Sequence, residues 1–137
     1  MALGVELFTR EARTPEEVAA AIENIPEEAD AIFFLPDSLV STRIFDFIKA
    51  AAELQLPTSG ANTEIVKDGV LTAYAFEQIN SGKQAARLAD QIFQGVKPAD
   101  LPVETAEFHL TINLKTAEAI GLDIPDEILL QADIIVR

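Results

Sequence analysis

The spacing of apolar and polar residues changes along the chain, and each change marks an element. Residues 5–9 form a short apolar-rich run that predicts a buried strand. Thr14-Pro15-Glu16-Glu17 is a capping box with proline at the first helical position. Val18, Ala21, Ile22 and Ile25 then recur at helical spacing until Pro26 ends the helix. Residues 31–35, AIFFL, are apolar without alternation between Asp30 and Pro36, the pattern of a central parallel strand covered on both faces. Val40, Ile44, Phe47, Ile48 and Ala51 share one stripe and predict a second helix running to Leu54. Residues 56–59 and 70–75, the latter opened by Gly69, predict a third and a fourth strand. Gly82, Ala85, Ala86, Ala89, Ile92 and Phe93 mark the inner face of a third helix, with Lys83, Arg87 and Asp90 outward; Gly95 and Pro98 stop it. Beyond Pro102 the chain alternates, Phe108, Leu110, Ile112 and Leu114 against His109, Thr111 and Asn113, which predicts a half-exposed strand. A short helix over residues 115–120 ends at Gly121, Pro125 starts another turn or two, and Ile134-Ile135-Val136 closes the chain.

Strand and helix alternating through short connections imply right-handed βαβ units and an α/β fold. The expected architecture is a three-layer α/β/α sandwich around a parallel sheet, its strands in the order 2-1-3-4-5 when counted along the chain. Residues 57–104 organise the rest, because two strand ends fall there, each followed by a polar loop. In an open parallel sheet a ligand sits against such carboxyl-end loops.

Composition narrows the function. A chain of 137 residues suits one domain with a proper core. The net charge of −13 opposes binding to nucleic acid or to an anionic membrane surface. The absence of cysteine removes thiolate nucleophiles, disulfides and thiolate metal sites. His109 is the only histidine and no carboxylate run has metal-ligand spacing, so no metal and no cofactor is expected. The phosphate-binding glycine patterns and the G-x-S-x-G elbow are missing, which leaves neither a nucleotide site nor a recognisable nucleophile; a non-catalytic binding module is expected rather than an enzyme. No apolar run approaches the ~20 residues of a membrane-spanning helix, and residues 1–12 do not have the form of a signal peptide.

The succession LGVEL, PEEV, DAIFFLPDSLV, LPTSGANTEIVKDGVLTAYAFEQINSGKQAARLADQIFQG, KPADLPVE and INLKTAEAIGLDIPDEILLQAD resembles the C-terminal half of a bacterial family. This is the family of ABC-transporter substrate-binding proteins with the type I periplasmic-binding-protein fold, some of which handle aromatic amino acids. The likeness runs from Leu3 onward and is most specific at the KDG-x-L-T-x-Y turn and the IN-L-K-T-A-x-x-I-G-L-x-I-P ending. It implies a two-lobed protein that closes by hinge motion on a small ligand such as an amino acid, with an ABC permease as partner and an extracytoplasmic location. Met1-Ala2 stands just before a position midway along the family, so only the second lobe is expected here. Residues 1–107 would form that lobe, and residues 108–137 a strand-helix tail that in the family crosses back to the first.

The resemblance also implies where the ligand is held. Asp37 and Ser38 follow the second strand; Asp37 matches a cleft carboxylate, and both are equally good helix caps. Ser59, Asn62 and Thr63 belong to the loop after the third strand, whose small residues let backbone N–H groups approach an anionic group. The family carries an acidic residue where Asn62 stands. Tyr74, Phe76, Glu77 and Gln78 follow or end the fourth strand; the family has aspartate at Glu77 and tyrosine at Gln78. Glu77 keeps the charge to meet a ligand amine or, alternatively, simply favours a helix N-terminus. A second expectation is a homodimer with no ligand of its own, because Ile112, Leu114, Ile120, Leu122, Ile124, Leu129, Leu130, Ile134, Ile135 and Val136 would be uncovered without a first lobe.

Overall fold

The computed structural model describes residues 4–137, so Met1-Ala2 and Leu3, where the resemblance begins, lie outside the described residues. The fold is α/β, a five-stranded, mostly parallel sheet flanked by helices. In chain order the elements are α1 (Pro15–Glu23), β1 (Ile32–Phe34), α2 (Ser38–Ser41), α3 (Ile44–Glu53), β2 (Thr58–Gly60), α4 (Glu64–Asp68), β3 (Thr72–Phe76), α5 (Gln78–Phe93), β4 (Phe108–Asn113), α6 (Leu114–Ala119), α7 (Asp126–Leu129) and β5 (Ile134–Val136).

Local signals act where they were read. Thr14 Oγ1 accepts from the Glu17 amide at 3.2 Å, Glu17 accepts from the Arg13 amide at 2.6 Å, and α1 turns Val18 into the core. The stripe of the second predicted helix survives, but the helix breaks in two at Thr42-Arg43. There the Thr42 hydroxyl donates to the Leu39 carbonyl, and Arg43 N bonds three residues back instead of four. Phe34, Ile44 and Val70 form the main core, with Ile32, Val40, Phe47, Ile48 and Ile65 packed around them. A further core of Leu71, Ala117 and Ile120 fastens α6 beneath β3.

The strand order differs from the expectation. The sheet runs β1-β2-β3-β4-β5; residues 5–9, expected as a buried strand, are irregular with Val5, Leu7 and Phe8 exposed, and residues 31–35, expected as a central strand covered on both faces, supply β1 at the end of the order, with Phe33 and Leu35 exposed. Apolar spacing shows that a stretch can be a strand and says nothing about which edge accepts it. β4 lies antiparallel to β3, with Phe76 opposite Phe108 and Thr72 opposite Ile112. β5 then pairs parallel with β4, so residues 108–137 extend the same sheet and bury Ile112 and Ile120, while Leu122, Ile128 and Leu130 remain exposed.

The supposedly wet side of β4 is in fact buried. Thr111 and Asn113 are among the least accessible polar residues because β4 is flanked by β3 and β5 with α4 above it. The Asn113 amide donates to the Val66 carbonyl of α4 at 2.7 Å and its oxygen accepts from Thr116 N at 3.2 Å.

Helix α5 is the other departure. Expected to bury Ala85, Ala86, Ala89, Ile92 and Phe93, it has no buried residue, and Phe93 is 89% exposed. Its hold is polar instead: Gln84 and Arg87 both donate to Glu104 Oε2, the first at 2.7 Å. The Arg87 hydrogen bond, helped by Gln84, lowers the Glu104 pKa below its ordinary 4.5 against a small opposing effect of burial. A depressed carboxyl pKa contributes stability above the unfolded value and loses it as the pH falls through the folded one. Acidifying below pH 4.5 is therefore expected to loosen α5 from residues 101–106, seen as faster amide exchange across α5, and Glu104→Gln should abolish that pH step.

Candidate functional site

Because β1, β2 and β3 are parallel, their carboxyl ends reach one edge of the sheet. Residues 35–38, 61–63 and 77–78 therefore gather there. Antiparallel β4 brings its first residue, Phe108, to the same edge.

Among the polar tip residues, Asp37, Asn62, Thr63 and Glu77 each make a side-chain hydrogen bond within the lobe. Asp37 Oδ1 accepts from the Leu39 and Val40 amides at 2.8 and 3.1 Å, the N-cap of α2. Ser38, the first residue of α2, is exposed. Asn62 Oδ1 accepts from Ile65 N at 3.1 Å and so starts α4, leaving its amide N–H groups outward of that bond. Thr63 is buried, with its hydroxyl 3.4 Å from Glu64. Glu77 Oε2 accepts from the Asn80 side chain at 2.6 Å, and Gln78 beside it is exposed. One carboxylate oxygen of Asp37 and one of Glu77 have no hydrogen bond from the described residues.

Three of the expected residues, Ser59, Tyr74 and Phe76, lie within strands and not in the loops that follow them. Ser59 is the middle residue of β2 and shares a cross-strand row with Phe33 and Thr72; Tyr74 lies two residues along the same face. That face is apolar and open: Phe33, Leu35, Tyr74 and Phe108 are all at least half exposed. Tyr74 and Phe108 have ring centroids 5.6 Å apart, Phe76 and Phe108 5.9 Å with an edge-to-face tilt, so the three rings form one aromatic cluster. Phe108 was not among the sequence candidates. Its only signal was the alternation of residues 108–114, which is typical of antiparallel pairing and could have pointed back to the neighbouring strand.

Two carboxylates, an amide and three aromatic rings at one edge suit a ligand with a protonated amine and an apolar or aromatic body: the carboxylates take the amine by charge-assisted bonds and the ring faces attract its charge. The edge is open. Two recesses in the surface lie elsewhere, one of about 390 Å³ beside α6 and α7 and one of about 270 Å³ between α3 and α6. Among the described residues no three His, Asp or Glu side chains gather as a metal site, and no helix is long and apolar enough to cross a membrane.

Residues 2–136 match the family described as ABC transporter substrate binding protein. Among solved structures, a conserved domain protein from Vibrio cholerae is 32% identical with a TM-score of 0.76, over 90% of this chain and 42% of that one. An ABC domain in complex with L-Trp from Streptococcus pneumoniae has the same fold, at 24% identity and a TM-score of 0.76, again over 90% of this chain and 42% of that one. A tyrosine-binding protein of Clostridioides difficile is 25% identical over 118 residues, 85% of this chain and 34% of its own length. The chain spans less than half the length of each of these relatives.

Proposed function

The chain belongs to the ABC transporter substrate binding protein family, and from that premise we propose that it is the C-terminal lobe of a two-lobed, non-catalytic solute receptor. Its ligand is a small amine-bearing molecule of the amino-acid class, delivered to an ABC permease outside the cytoplasm. The observation that carries this reading is the open sheet edge where Asp37, Asn62 and Glu77 stand beside Phe76 and Phe108. In a receptor of this kind, hinge closure brings a second lobe over such an edge and excludes water from the charge pairs. Residues 108–137 form the side of the lobe from which the chain would return to its companion. Tyrosine and tryptophan, the ligands named for two relatives, set the chemical class to try first.

One lobe makes half of the contacts, so affinity should be weak. Titrating the chain with aromatic amino acids while following amide NMR shifts is expected to move residues 37–38, 62–63, 76–78 and 108, with a Kd near ~1 mM or weaker. Glu77→Gln should erase those shifts. Shifts centred on either recess, or none at saturating ligand, would remove this reading. A homodimerising module without a ligand of its own is the alternative, favoured by the exposed apolar side chains of β1, and it predicts no response to amino acids at all.

A further inference from the structure

Helix α5 starts where the candidate site ends. Glu77 is its N-cap residue and accepts from the Asn80 side chain at 2.6 Å within the first turn. Asn80, Gln84 and Arg87 recur at i, i+4 and i+7, so one polar row runs down a single face of the helix. Gln84 Nε2 and the Arg87 guanidinium both donate to Glu104 Oε2, the first at 2.7 Å. Glu104 lies in the connection that leads from α5 into β4, shortly before Phe108. The row therefore has a site carboxylate at one end and, further along, a grip on the strap that delivers Phe108 to the same edge.

Phe108 sits where such a grip matters. It pairs with Phe76 as the last rung of the β3–β4 ladder, where a sheet opens at least cost. Its ring is half exposed and lies against those of Tyr74 and Phe76. From Glu77 to Gln84 and Arg87 the helix rises about 10–15 Å. Residues 104–108 reach at most about 14 Å when fully extended. The two lengths are alike, so pinning Glu104 to α5 confines Phe108 to the end of β3 beside Glu77. Released from Glu104, the strap is limited by the turn at Pro98–Asp100, and its reach to Phe108 roughly doubles.

We propose that the clasp of Gln84 and Arg87 on Glu104 is a positioning device for the binding edge: it holds Phe108 in the aromatic cluster and so sets how strongly the lobe prefers aromatic over small amino acids. This rests on the reading of the edge as a ligand site. The three residues act through Phe108 and not on the ligand itself. The amine end is separate, because Asp37 and Asn62 are fixed by α2 and α4. The ion pair stands outside the cores, with the Arg87 side chain half exposed, so the fold survives its loss.

The test is NMR on the whole chain, first without ligand and then with L-tryptophan or L-alanine. In Glu104→Ala and in Arg87→Ala, the Overhauser contacts between the Phe108 and Tyr74 rings should fall at least twofold. The ratio of tryptophan to alanine affinity should drop at least threefold, with alanine affinity itself within twofold of wild type. Exchanging the partners, Arg87→Glu with Glu104→Arg, should restore both readouts, since the Gln84 amide can present its oxygen to the new guanidinium. Equal losses for the two amino acids would make the pair a structural tie and overturn the proposal, as would an exchange that restores neither readout. Unchanged ring contacts with tryptophan still bound overturn the clasp alone. A chain that takes up neither amino acid sinks the ligand reading and this proposal together.

Discussion

Asn113→Ala is expected to cost about 3 kcal/mol of folding stability. The side chain is 3% exposed and makes two bonds at once: its amide donates to the Val66 carbonyl, and its oxygen accepts from the amide of Thr116. The first ties α4 to β4 and the second starts α6. Alanine leaves a buried carbonyl and a helix N–H without partners, and each of those losses is about 1–2 kcal/mol when nothing replaces the bond. Urea unfolding should show a lower midpoint with an unchanged slope. A loss below about 1 kcal/mol would mean that water enters to replace both bonds, which the packing of Val66 argues against.

Gly69→Val should be at least as damaging, at about 3–4 kcal/mol. Gly69 ends α4 at φ 125°, where a β-branched residue is strongly disfavoured. A Cβ there would lie 3.0 Å from Ile48 Cγ2, in the wall of the main core. The backbone around it has little freedom to relax, because the Gly69 carbonyl accepts from the Thr116 hydroxyl and the next amide, of Val70, is bonded to Ile65. Gly69→Ala keeps the φ strain without the branched crowding and should fall between wild type and valine. Equal unfolding midpoints for all three would show that this turn opens at no cost.

These two sites differ in how plainly the sequence announces them. Gly69 stands between a polar loop and a β-rich run and is legible as a turn. Asn113 is not: alternation assigns it to the solvent side of its strand, and its burial follows from the flanking β3 and β5 and from α4 above it. The tip residues divide the same way. Asp37, Asn62 and Glu77 follow strands whose parallel run is implied by the helices between them, so their convergence could be anticipated. Phe108 reaches them through an antiparallel partner chosen across more than thirty residues of chain, and the cross-strand row that sets Ser59 between Phe33 and Thr72 likewise depends on which strands pair. The small inner face of α5 is equally clear in the sequence, yet the helix is held by Glu104 and leaves that face bare, since a stripe indicates only that a surface wants covering.

By itself the sequence determined the α/β class, the start of α1, the apolar run of β1, the turn at Gly69 and the polar ends of three strands. All of these depend on residues a few positions apart, whose steric and capping preferences act whatever the rest of the chain does. The tertiary structure alone decided the sheet order, the reversal at β4, the burial of Asn113 and the arrival of Phe108 at the same edge as the carboxylates. Each of those depends on which distant segment supplies the facing hydrogen bonds and apolar surface, and that competition is settled only when the whole chain is packed.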